Sequence, residues 1–383
     1  MRYNEDLEVL DMDQRVRAFG SRVNDIIGGM DLSRKDARGM FRQVLLNEQP
    51  DLQQGAFLAA ITAKGATPQE IAGSWEAIYE IDTIKVTPDV DGPMSDNSGT
   101  GMDTLKTFNI STAAAIVAAA DGVVMAKHGA RAITSRCGTV DMAEALGVDM
   151  GCDASTVKRS IENAGIGMFN GSSPLVHPIA MGRILSQIRF GTILNMAGSL
   201  ANPALPKYGV RGVYSKEMIM PTLTAMKEVG YCRAIVLNGS NADGTKTMDE
   251  LSTLGMSTVS ELDRAGSIVS YTISPEELGI EMARENDLLA GSDVRAEALR
   301  LLRVLGGDER GPRQDIVCLN AAPLLCMNGR AHDLRDGVER ARSIIENGQA
   351  MERLRLWAKV QNRDPSAGME RLDGLIERAS STV

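Results

Sequence analysis

The stretch from residue 98 to residue 141 constrains this chain most, and it reads SGTGMDTLKTFNISTAAAIVAAADGVVMAKHGARAITSRCGTVD. It contains glycine-bearing turns at 99–101 and 138–139, with a small-residue segment and a short apolar run between them. Glycine lets backbone N–H groups approach a bound oxyanion because no Cβ stands in the way. The bare N–H groups of a first helical turn form a second kind of anion site. Three such elements in so short a stretch predict a polyphosphorylated ligand.

The middle of this stretch predicts a helix followed by a strand. Ser111 is a good N-cap residue, and residues 113–120 are mostly alanine and β-branched. Residues 123–126 form an apolar run typical of a buried strand. Lys127 follows at its C-terminal end, where ligands of open α/β sheets gather. Taken singly, a GTG turn or a lysine at a strand end is usually an ordinary feature. Their order along the chain favours a ligand site.

Four blocks in this stretch resemble the signature blocks of the anthranilate phosphoribosyltransferase family, whose superfamily also holds the pyrimidine nucleoside phosphorylases. The blocks are GTGMD at 99–103, NIST at 109–112, KHGAR at 127–131 and GTVD at 138–141. Further similarity follows at 202–204, 212–215, 249–252 and 319–322. Because these motifs occur in the family's order, the chain is identified as a member. The resemblance implies transfer of a 5-phosphoribosyl group from phosphoribosyl pyrophosphate to an aromatic amine, first of all anthranilate in tryptophan biosynthesis, with release of pyrophosphate.

The implied reaction needs charge stabilisation more than it needs a nucleophile. Displacing pyrophosphate from the anomeric carbon of ribose gives that carbon oxocarbenium character. The protein must therefore neutralise the charge that builds on the pyrophosphate, and Mg²⁺ held by oxygen ligands does this well. The resemblance assigns Asp249 and Glu250 to this metal, with Ser111 as a third ligand. Without the resemblance, two adjacent acids in a loop are more often a solvated helix start.

The resemblance also assigns residues to the donor and to the acceptor of the phosphoribosyl group. The implied donor-binding residues are Gly99, Thr100, Gly101, Asp103, Thr107, Asn109, Ser111, Thr112, Lys127, Gly138 and Thr139. The implied acceptor-binding residues are Gly99, His128, Ala130 and Arg183. The implied catalytic residues are Lys127, Asp249 and Glu250. Lys127 can pair with the pyrophosphate as a point charge.

The acceptor side departs from the family pattern. Ala130 stands where the family has an asparagine, and Met102 replaces a glycine. Neither Arg183 nor Arg189 aligns with the arginine expected to grip the acceptor carboxylate, which needs a cationic partner. An aryl amine is already neutral at pH 7, so we expect His128 to orient the acceptor or to be structural rather than to act as a general base. The donor half of the site thus looks complete and the acceptor half altered.

The whole pattern predicts an α/β fold with a separate all-α domain. We expect a mixed, mostly parallel central sheet flanked by helices, plus a discontinuous N-terminal helical bundle. Residues 1–92 read as helical, and the resemblance implies that helices from about 178–200 join them and that this domain mediates a homodimer. Residues 93–383 would form the α/β domain that binds the donor, after a turn-rich connection at 87–98.

One helix start is well marked in the N-terminal part. Thr67 and Glu70 are spaced as a capping box, with a proline directly after the threonine. The helix that follows has an apolar stripe made of Ile71, Trp75, Ile78 and Tyr79. The stripe fits a dimer face, and it fits an intramolecular core at least as well.

Other boundaries come from caps, loop residues and apolar runs. Ser155 is the expected N-cap of a helix that ends at Gly165. Residues 168–178 have the composition of a loop. Short apolar runs predict strands at 233–237, 267–273 and 315–319.

Composition limits partners and location. The net charge is −9 and no long basic run occurs, which argues against nucleic acid as a partner. The longest apolar stretch, 113–126, is too short to span a bilayer, so no membrane partner is expected. The five cysteines have no CxxC spacing, and the N-terminus has no apolar signal-peptide core, which together predict free thiols in the cytoplasm.

Three further functions stay open at this point. A pyrimidine nucleoside phosphorylase would share the fold and use inorganic phosphate, although the NIST block and the acidic pair speak against it. A non-catalytic relative that binds nucleic acid would show salt-sensitive binding. A phosphoribosyltransferase with another aromatic or nucleobase acceptor is the alternative nearest to the main prediction.

Overall fold

The computed structural model describes residues 12–105, 107–131, 137–291 and 293–381. Its N-terminal helices are α1 (Met12–Ile27), α2 (Arg34–Leu45), α3 (Asp51–Lys64) and α4 (Pro68–Ile81). The predicted capping box is present at the start of α4, because Thr67 Oγ1 accepts the Glu70 N–H and Glu70 Oε2 accepts the Thr67 N–H. Within the described ranges, none of the helices is long and apolar enough to cross a membrane.

A mixed sheet forms the centre of the fold. Its strands are β1 (Met94–Ser98), β2 (Val124–Gly129), β3 (Ile166–Asn170), β4 (Tyr208–Gly212), β5 (Arg233–Ser240), β6 (Thr247–Met248), β7 (Ser257–Leu262) and β8 (Ile268–Ile273). The strand order is β3-β2-β1-β4-β5-β7-β8, and β6 pairs with β5. The pairs from β3 to β5 are parallel, whereas β6, β7 and β8 join antiparallel. The prediction of a mixed, mostly parallel sheet is confirmed.

The remaining helices lie around the sheet or join the N-terminal bundle. They are α5 (Ile110–Ala120), α6 (Thr139–Ala145), α7 (Ala154–Ala164), α8 (Met181–Ile188), α9 (Leu194–Leu200), α10 (Ile219–Glu228), α11 (Glu285–Leu288), α12 (Val294–Gly306), α13 (Pro312–Met327), α14 (Leu334–Glu346), α15 (Gln349–Val360) and α16 (Pro365–Ser381). The alanine-rich α5 packs against α13, and both belong to one large core with the sheet. Because α5 carries mostly small side chains, its neighbours can approach closely.

Three predicted elements need correction. The strand predicted at 315–319 is wrong, because these residues lie inside α13, where a continuously buried helix has no amphipathic period to read. The loop predicted at 168–178 is wrong at its start, since residues 168–170 belong to β3. Strand β1 lies inside the segment 87–98 that we expected to be a connection. Its sequence MSDNS is polar, and hydrogen bonds to its side chains compensate for burial.

Two predicted N-caps are also wrong. Helix α5 has Asn109 rather than Ser111 at its N-cap position, so Ser111 lies in the first helical turn. Helix α7 has Asp153 rather than Ser155 at its N-cap, and the Asp153 carboxylate accepts the Thr156 N–H at 2.8 Å. A carboxylate caps a helix start as well as a hydroxyl does, so the sequence offered two acceptable caps for α7.

The helical bundle is discontinuous, as predicted. Helices α8 and α9 share one hydrophobic core with α1 to α4. Trp75 Nε1 in α4 donates to the carbonyl oxygen of Leu200 at the end of α9, at 2.9 Å. Ile71 and Ile78 of the α4 stripe are fully buried within the chain. Ile71 and Ile78 therefore belong to an intramolecular core, whereas Trp75 and Tyr79 are half-buried.

Asp82, directly after α4, connects the two parts of the bundle. Its buried carboxylate accepts three backbone N–H groups at the start of α8, from Ile179, Ala180 and Met181. Three charge-assisted hydrogen bonds at a helix N-terminus stabilise that helix start. These bonds hold the start of α8 against the end of α4.

Candidate functional site

Two adjoining cavities lie where β1 and β2 end. The larger, of about 200 Å³, is lined mainly by polar groups and is called the polar cavity. The smaller, of about 140 Å³, is lined mainly by apolar groups, among them Met181, Leu185 and Leu194, and is called the apolar cavity. Gly99 and Ala130 line both. Because β1 and β2 are parallel neighbours, the turns that follow them meet at one edge of the sheet.

The polar cavity brings together most of the predicted donor residues. Those that line it are Gly99, Thr100, Gly101, Asp103, Thr107, Asn109, Ser111, Gly138 and Thr139, together with Asp249 and Glu250. Two predicted donor residues are not among its lining. Thr112 is fully buried in α5, and Lys127 lines the apolar cavity. Residues that are close in sequence thus form one wall, and the acidic pair after β6 forms another.

Three carboxylates form a cluster in the polar cavity. One oxygen from each of Asp103, Asp249 and Glu250 lies within 4.8 Å of the others. Asp249 is 7% exposed and follows strand β6, so it is no solvated helix start. Its Oδ2 accepts the Gly101 N–H at 2.6 Å and the Thr100 hydroxyl at 3.3 Å. This set of hard oxygen donors suits Mg²⁺.

Two glycines make room for Asp249. A Cβ at Gly99 would lie 2.3 Å from the Asp249 carboxyl carbon, and a Cβ at Gly212 would lie 1.6 Å from its carbonyl oxygen. Neither position can take a side chain without moving the acid. Gly99 therefore allows a close approach of the first turn to Asp249. Gly212, at the end of β4, allows the same approach from the neighbouring strand.

Lys127 lies in β2 with a buried ammonium group. Its Nζ donates to the carbonyl oxygen of Asn97 at 2.7 Å and to Asn97 Oδ1 at 2.6 Å. Burial lowers the pKa of Lys127 to about 8; the negative charge of Asp96 opposes this shift and the positive charge of Arg211 adds to it. Asp96 and Arg211 form a buried ion pair at 2.8 Å. Sequence reasoning missed these partners, and the polar composition of β1 was the signal that could have found them.

His128 lines the apolar cavity and pairs with a second histidine. Its Nε2 lies 3.0 Å from His177 Nε2, and its Nδ1 lies 3.4 Å from the carbonyl oxygen of Ser199. His177 Nδ1 lies 2.5 Å from the carbonyl oxygen of Asp82. Burial lowers the pKa of His128 to about 3, and it lowers the pKa of His177 as well. Both rings are therefore neutral at pH 7.

Two neutral rings carry two ring protons for these three contacts, and the shortest contact, from His177 Nδ1 to the Asp82 carbonyl oxygen, assigns them. A carbonyl oxygen only accepts, so His177 Nδ1 carries a proton and its Nε2 is an acceptor. His128 must then donate from Nε2, which leaves a lone pair on its Nδ1. The contact left without a proton is the longest of these three hydrogen-bond contacts. It joins His128 Nδ1 to the carbonyl oxygen of Ser199 at 3.4 Å. His128 thus offers an acceptor nitrogen, as an orienting residue needs. Sequence reasoning missed His177 and Asp82.

The structure does not bring Arg183 to the apolar cavity. Its Nη1 donates to Gln54 Oε1 at 3.0 Å, and its Nη2 donates to the carbonyl oxygen of Val44 at 2.8 Å. Arg183 therefore joins α8 to the N-terminal helices. Met102, which replaces a glycine in the first turn, packs closely against Gly191. A Cβ added to Gly191 would lie 2.7 Å from Met102 Cγ.

Comparison with protein families assigns the class. Residues 91–351 match the a/b domain of the glycosyl transferase family, and residues 23–80 match the helical bundle domain of a glycosyl transferase family. The chain belongs to this glycosyl transferase family. The two matches coincide with the sheet-containing part and with the N-terminal helices.

Within this family, the relatives of the chain are anthranilate phosphoribosyltransferases. It is 40% identical over 336 residues to that of Anaeromyxobacter dehalogenans strain 2CP-C, which covers 87% of this chain and 96% of the relative. It is 40% identical over 329 residues to that of Methanosarcina acetivorans, which covers 84% of each. The predictions of family and of a phosphoribosyltransferase enzyme are confirmed.

Solved structures agree with this assignment. The crystal structure of anthranilate phosphoribosyltransferase from Thermus thermophilus matches with a TM-score of 0.78 and 32% identity, over 88% of this chain and 98% of that one. The enzyme from Saccharomyces cerevisiae in complex with PRPP and Mg matches with a TM-score of 0.77 and 25% identity, over 90% and 98%.

Proposed function

We propose that this enzyme transfers the 5-phosphoribosyl group of phosphoribosyl pyrophosphate to anthranilate and releases pyrophosphate. The observation that carries the proposal is the cluster of three carboxylates facing a glycine turn in the polar cavity, directly beside an apolar cavity. The polar cavity suits a sugar diphosphate and the apolar cavity suits an aromatic ring. The names of the relatives support anthranilate as the acceptor.

The polar cavity holds the donor in this mechanism. The backbone N–H groups of the first turn of α5 and the hydroxyls of Thr107 and Thr139 bind phosphate oxygens. Asp103 contacts donor hydroxyls. Lys127 lies in the wall of the adjoining apolar cavity, and from there its protonated Nζ adds positive charge that stabilises the pyrophosphate. Held donor geometry and fixed charges lower the barrier without a covalent intermediate.

Asp249, Glu250 and Ser111 are the residues that would hold magnesium. The fit rests on the carboxylate oxygens of Asp249 and Glu250, which lie within 4.8 Å of each other, and on Ser111, which lines the same cavity. Gly99 leaves space for the Asp249 carboxylate. When bound, Mg²⁺ neutralises charge on the pyrophosphate. The Saccharomyces cerevisiae enzyme, whose structure was solved in complex with PRPP and Mg, supports this choice of metal.

The apolar cavity orients the acceptor. Met181, Leu185 and Leu194 offer apolar contact area for an aromatic ring. His128 Nδ1 accepts a hydrogen bond from the amine. This bond directs the amine nitrogen toward the anomeric carbon. Ala130, in place of the family's asparagine, removes an amide that could bind anthranilate, so another aromatic or nucleobase acceptor is the second candidate.

We also propose a homodimer of this chain in the cytoplasm, with a helical domain over 1–92 and an α/β domain over 93–383. Among described residues, Ile27 in α1 and Leu52 in α3 are 69% and 88% exposed. A contact with a second copy through the helical bundle would cover these side chains.

The test is the loss of anthranilate fluorescence with phosphoribosyl pyrophosphate and Mg²⁺. We expect turnover by the unchanged protein and a loss of at least about 100-fold in Asp249→Asn, because charge stabilisation of the pyrophosphate is reduced. Glu339→Gln, at an exposed position of α14, removes the same charge and serves as the matched control. Full activity in Asp249→Asn would refute the mechanism. Turnover of a nucleobase but not of anthranilate would leave the donor half standing and overturn the acceptor.

A further inference from the structure

A third cavity lies at the opposite end of the sheet. It has a volume of about 480 Å³ and is called the basic cavity, with Asp91, Tyr208, Arg233, Arg264, Asn328 and Arg330 in its lining. Tyr208 begins β4 and Arg233 begins β5, whereas the polar cavity lies where β1 ends. A strand of five residues spans about 17 Å, so a sheet's length separates the two sites.

The charge of the basic cavity is opposite to that of the chain. Three arginines and one aspartate line it, in a protein whose net charge is −9. Arg330 pairs with Asp121 outside the cavity, at 3.2 Å. Within the described part of the chain, neither Arg233 nor Arg264 forms an ion pair, and Asp91 is the acidic residue among the described lining.

Tyr208 holds the two unpaired arginines in place. Arg264 Nε donates to Tyr208 Oη at 2.5 Å, and the guanidinium carbons of Arg264 and Arg233 lie 5.4 and 6.0 Å from the centre of the tyrosine ring. Arg233 Nη1 donates to the carbonyl oxygen of Met327 at 2.7 Å. Cation–π contacts and these bonds order both side chains before a ligand arrives.

Donors remain after these contacts are counted. Arg264 uses only Nε, so its Nη1 and Nη2 have no partner among the residues described. Asn328 has no unused amide donor, because its Nδ2 donates to Ser95 Oγ and to the carbonyl oxygen of Leu324. The planar fork of a guanidinium matches the two oxygens of a carboxylate or phosphate.

We propose that the basic cavity binds a small ligand that carries a carboxylate or a phosphate group. Arg264 and Arg233 recognise the oxyanion, and the ring of Tyr208 orders both guanidinium groups. The site is separate from the polar cavity and needs no metal. Ser95 accepts a hydrogen bond from Asn328, which lines the basic cavity. Ser95 lies in β1, and β1 leads into the glycine turn of the donor site.

The test is calorimetric titration of the full chain with inorganic phosphate and, separately, with benzoate. We expect at least one of them to bind, with affinity reduced 10-fold or more in Arg264→Gln and in Arg233→Gln. Arg264 is exposed, so its replacement leaves the fold intact, and thermal unfolding checks this. Arg15→Gln on exposed α1 is the matched control and keeps wild-type binding.

Phosphate bound in the polar cavity is common to all four proteins, so the difference between them reports the basic cavity. Benzoate binding that depends on Arg264 identifies a carboxylate site, and phosphate binding alone identifies a phosphate site. Binding of neither probe, or binding unchanged in both arginine variants, overturns the proposal.

Discussion

At the scale of single residues, His177 shows how a residue outside both cavities sets the chemistry inside one. It donates to the Asp82 carbonyl and accepts from His128, and so fixes which nitrogen of His128 carries the lone pair. His177 is a positioning residue in this arrangement. Its effect should reach the acceptor and leave the donor untouched.

Replacing His177 tests this directly. In His177→Phe the His128 Nε2–H loses its buried acceptor, which costs about 1–3 kcal/mol. We expect a rise of about 10-fold in the KM for the acceptor, with the KM for phosphoribosyl pyrophosphate unchanged. His177→Gln should restore much of the loss, since its amide can donate to Asp82 and accept from His128. Equal effects of both variants on both substrates would show a merely structural role.

At the scale of elements, helix α16 packs against the chain through a contact that only glycine allows. A Cβ on Gly368 would lie 2.2 Å from Asn362 Nδ2 and 2.8 Å from the carbonyl oxygen of Gly147, next to the end of α6. Gly374, in the same helix, has open space around its Cα. Helix α16 lies beyond the residues that match the family's a/b domain.

Alanine at these two glycines should have opposite effects on the free energy of unfolding. Gly368→Ala forces α16 away from α6, and we expect a loss of about 1–3 kcal/mol. Gly374→Ala meets no neighbour and reduces the entropy of the unfolded chain, so we expect a gain of up to about 1 kcal/mol. Urea unfolding of both variants measures the difference. Equal stability would contradict the close packing of α16.

The elements that sequence reasoning missed have no hydrophobic periodicity that would identify them. Strand β1 is polar because its side chains form hydrogen bonds with other parts of the sheet, and no periodicity reports such pairing. Helix α13 is buried along its length, so its apolar run reads like a strand. Strands β4 and β7 carry no continuous apolar run, and we did not predict them.

At the scale of the whole molecule, the two halves of the site differed in how far the sequence could predict them. All of the predicted donor residues lie within 98–141, so short motifs describe them, and most of them line the polar cavity. The acceptor side joins β2, α8, α9 and the residue after α4. Contacts such as His128 with His177 connect distant stretches, and the spacing of residues along a chain does not encode them.

The sheet also gives the molecule two separate ends. The polar and apolar cavities lie where β1 and β2 end, and the basic cavity lies where β4 and β5 begin. The carboxylates face the first end and the unpaired arginines face the second. For the first end we propose that the clustered carboxylates and a glycine turn form one magnesium-dependent site for a sugar diphosphate, with Asp249, Glu250 and Ser111 holding the metal.

Calorimetric titration of the full chain with phosphoribosyl pyrophosphate tests that claim most directly, with Mg²⁺ in one experiment and EDTA in the other. We expect one donor molecule per chain in Mg²⁺ and an affinity at least about 100-fold lower in EDTA. Asp249→Asn in Mg²⁺ should resemble the EDTA titration, because a carboxylate is lost from the cluster. No heat of binding in Mg²⁺, or equal affinity in both solutions, would contradict the claim.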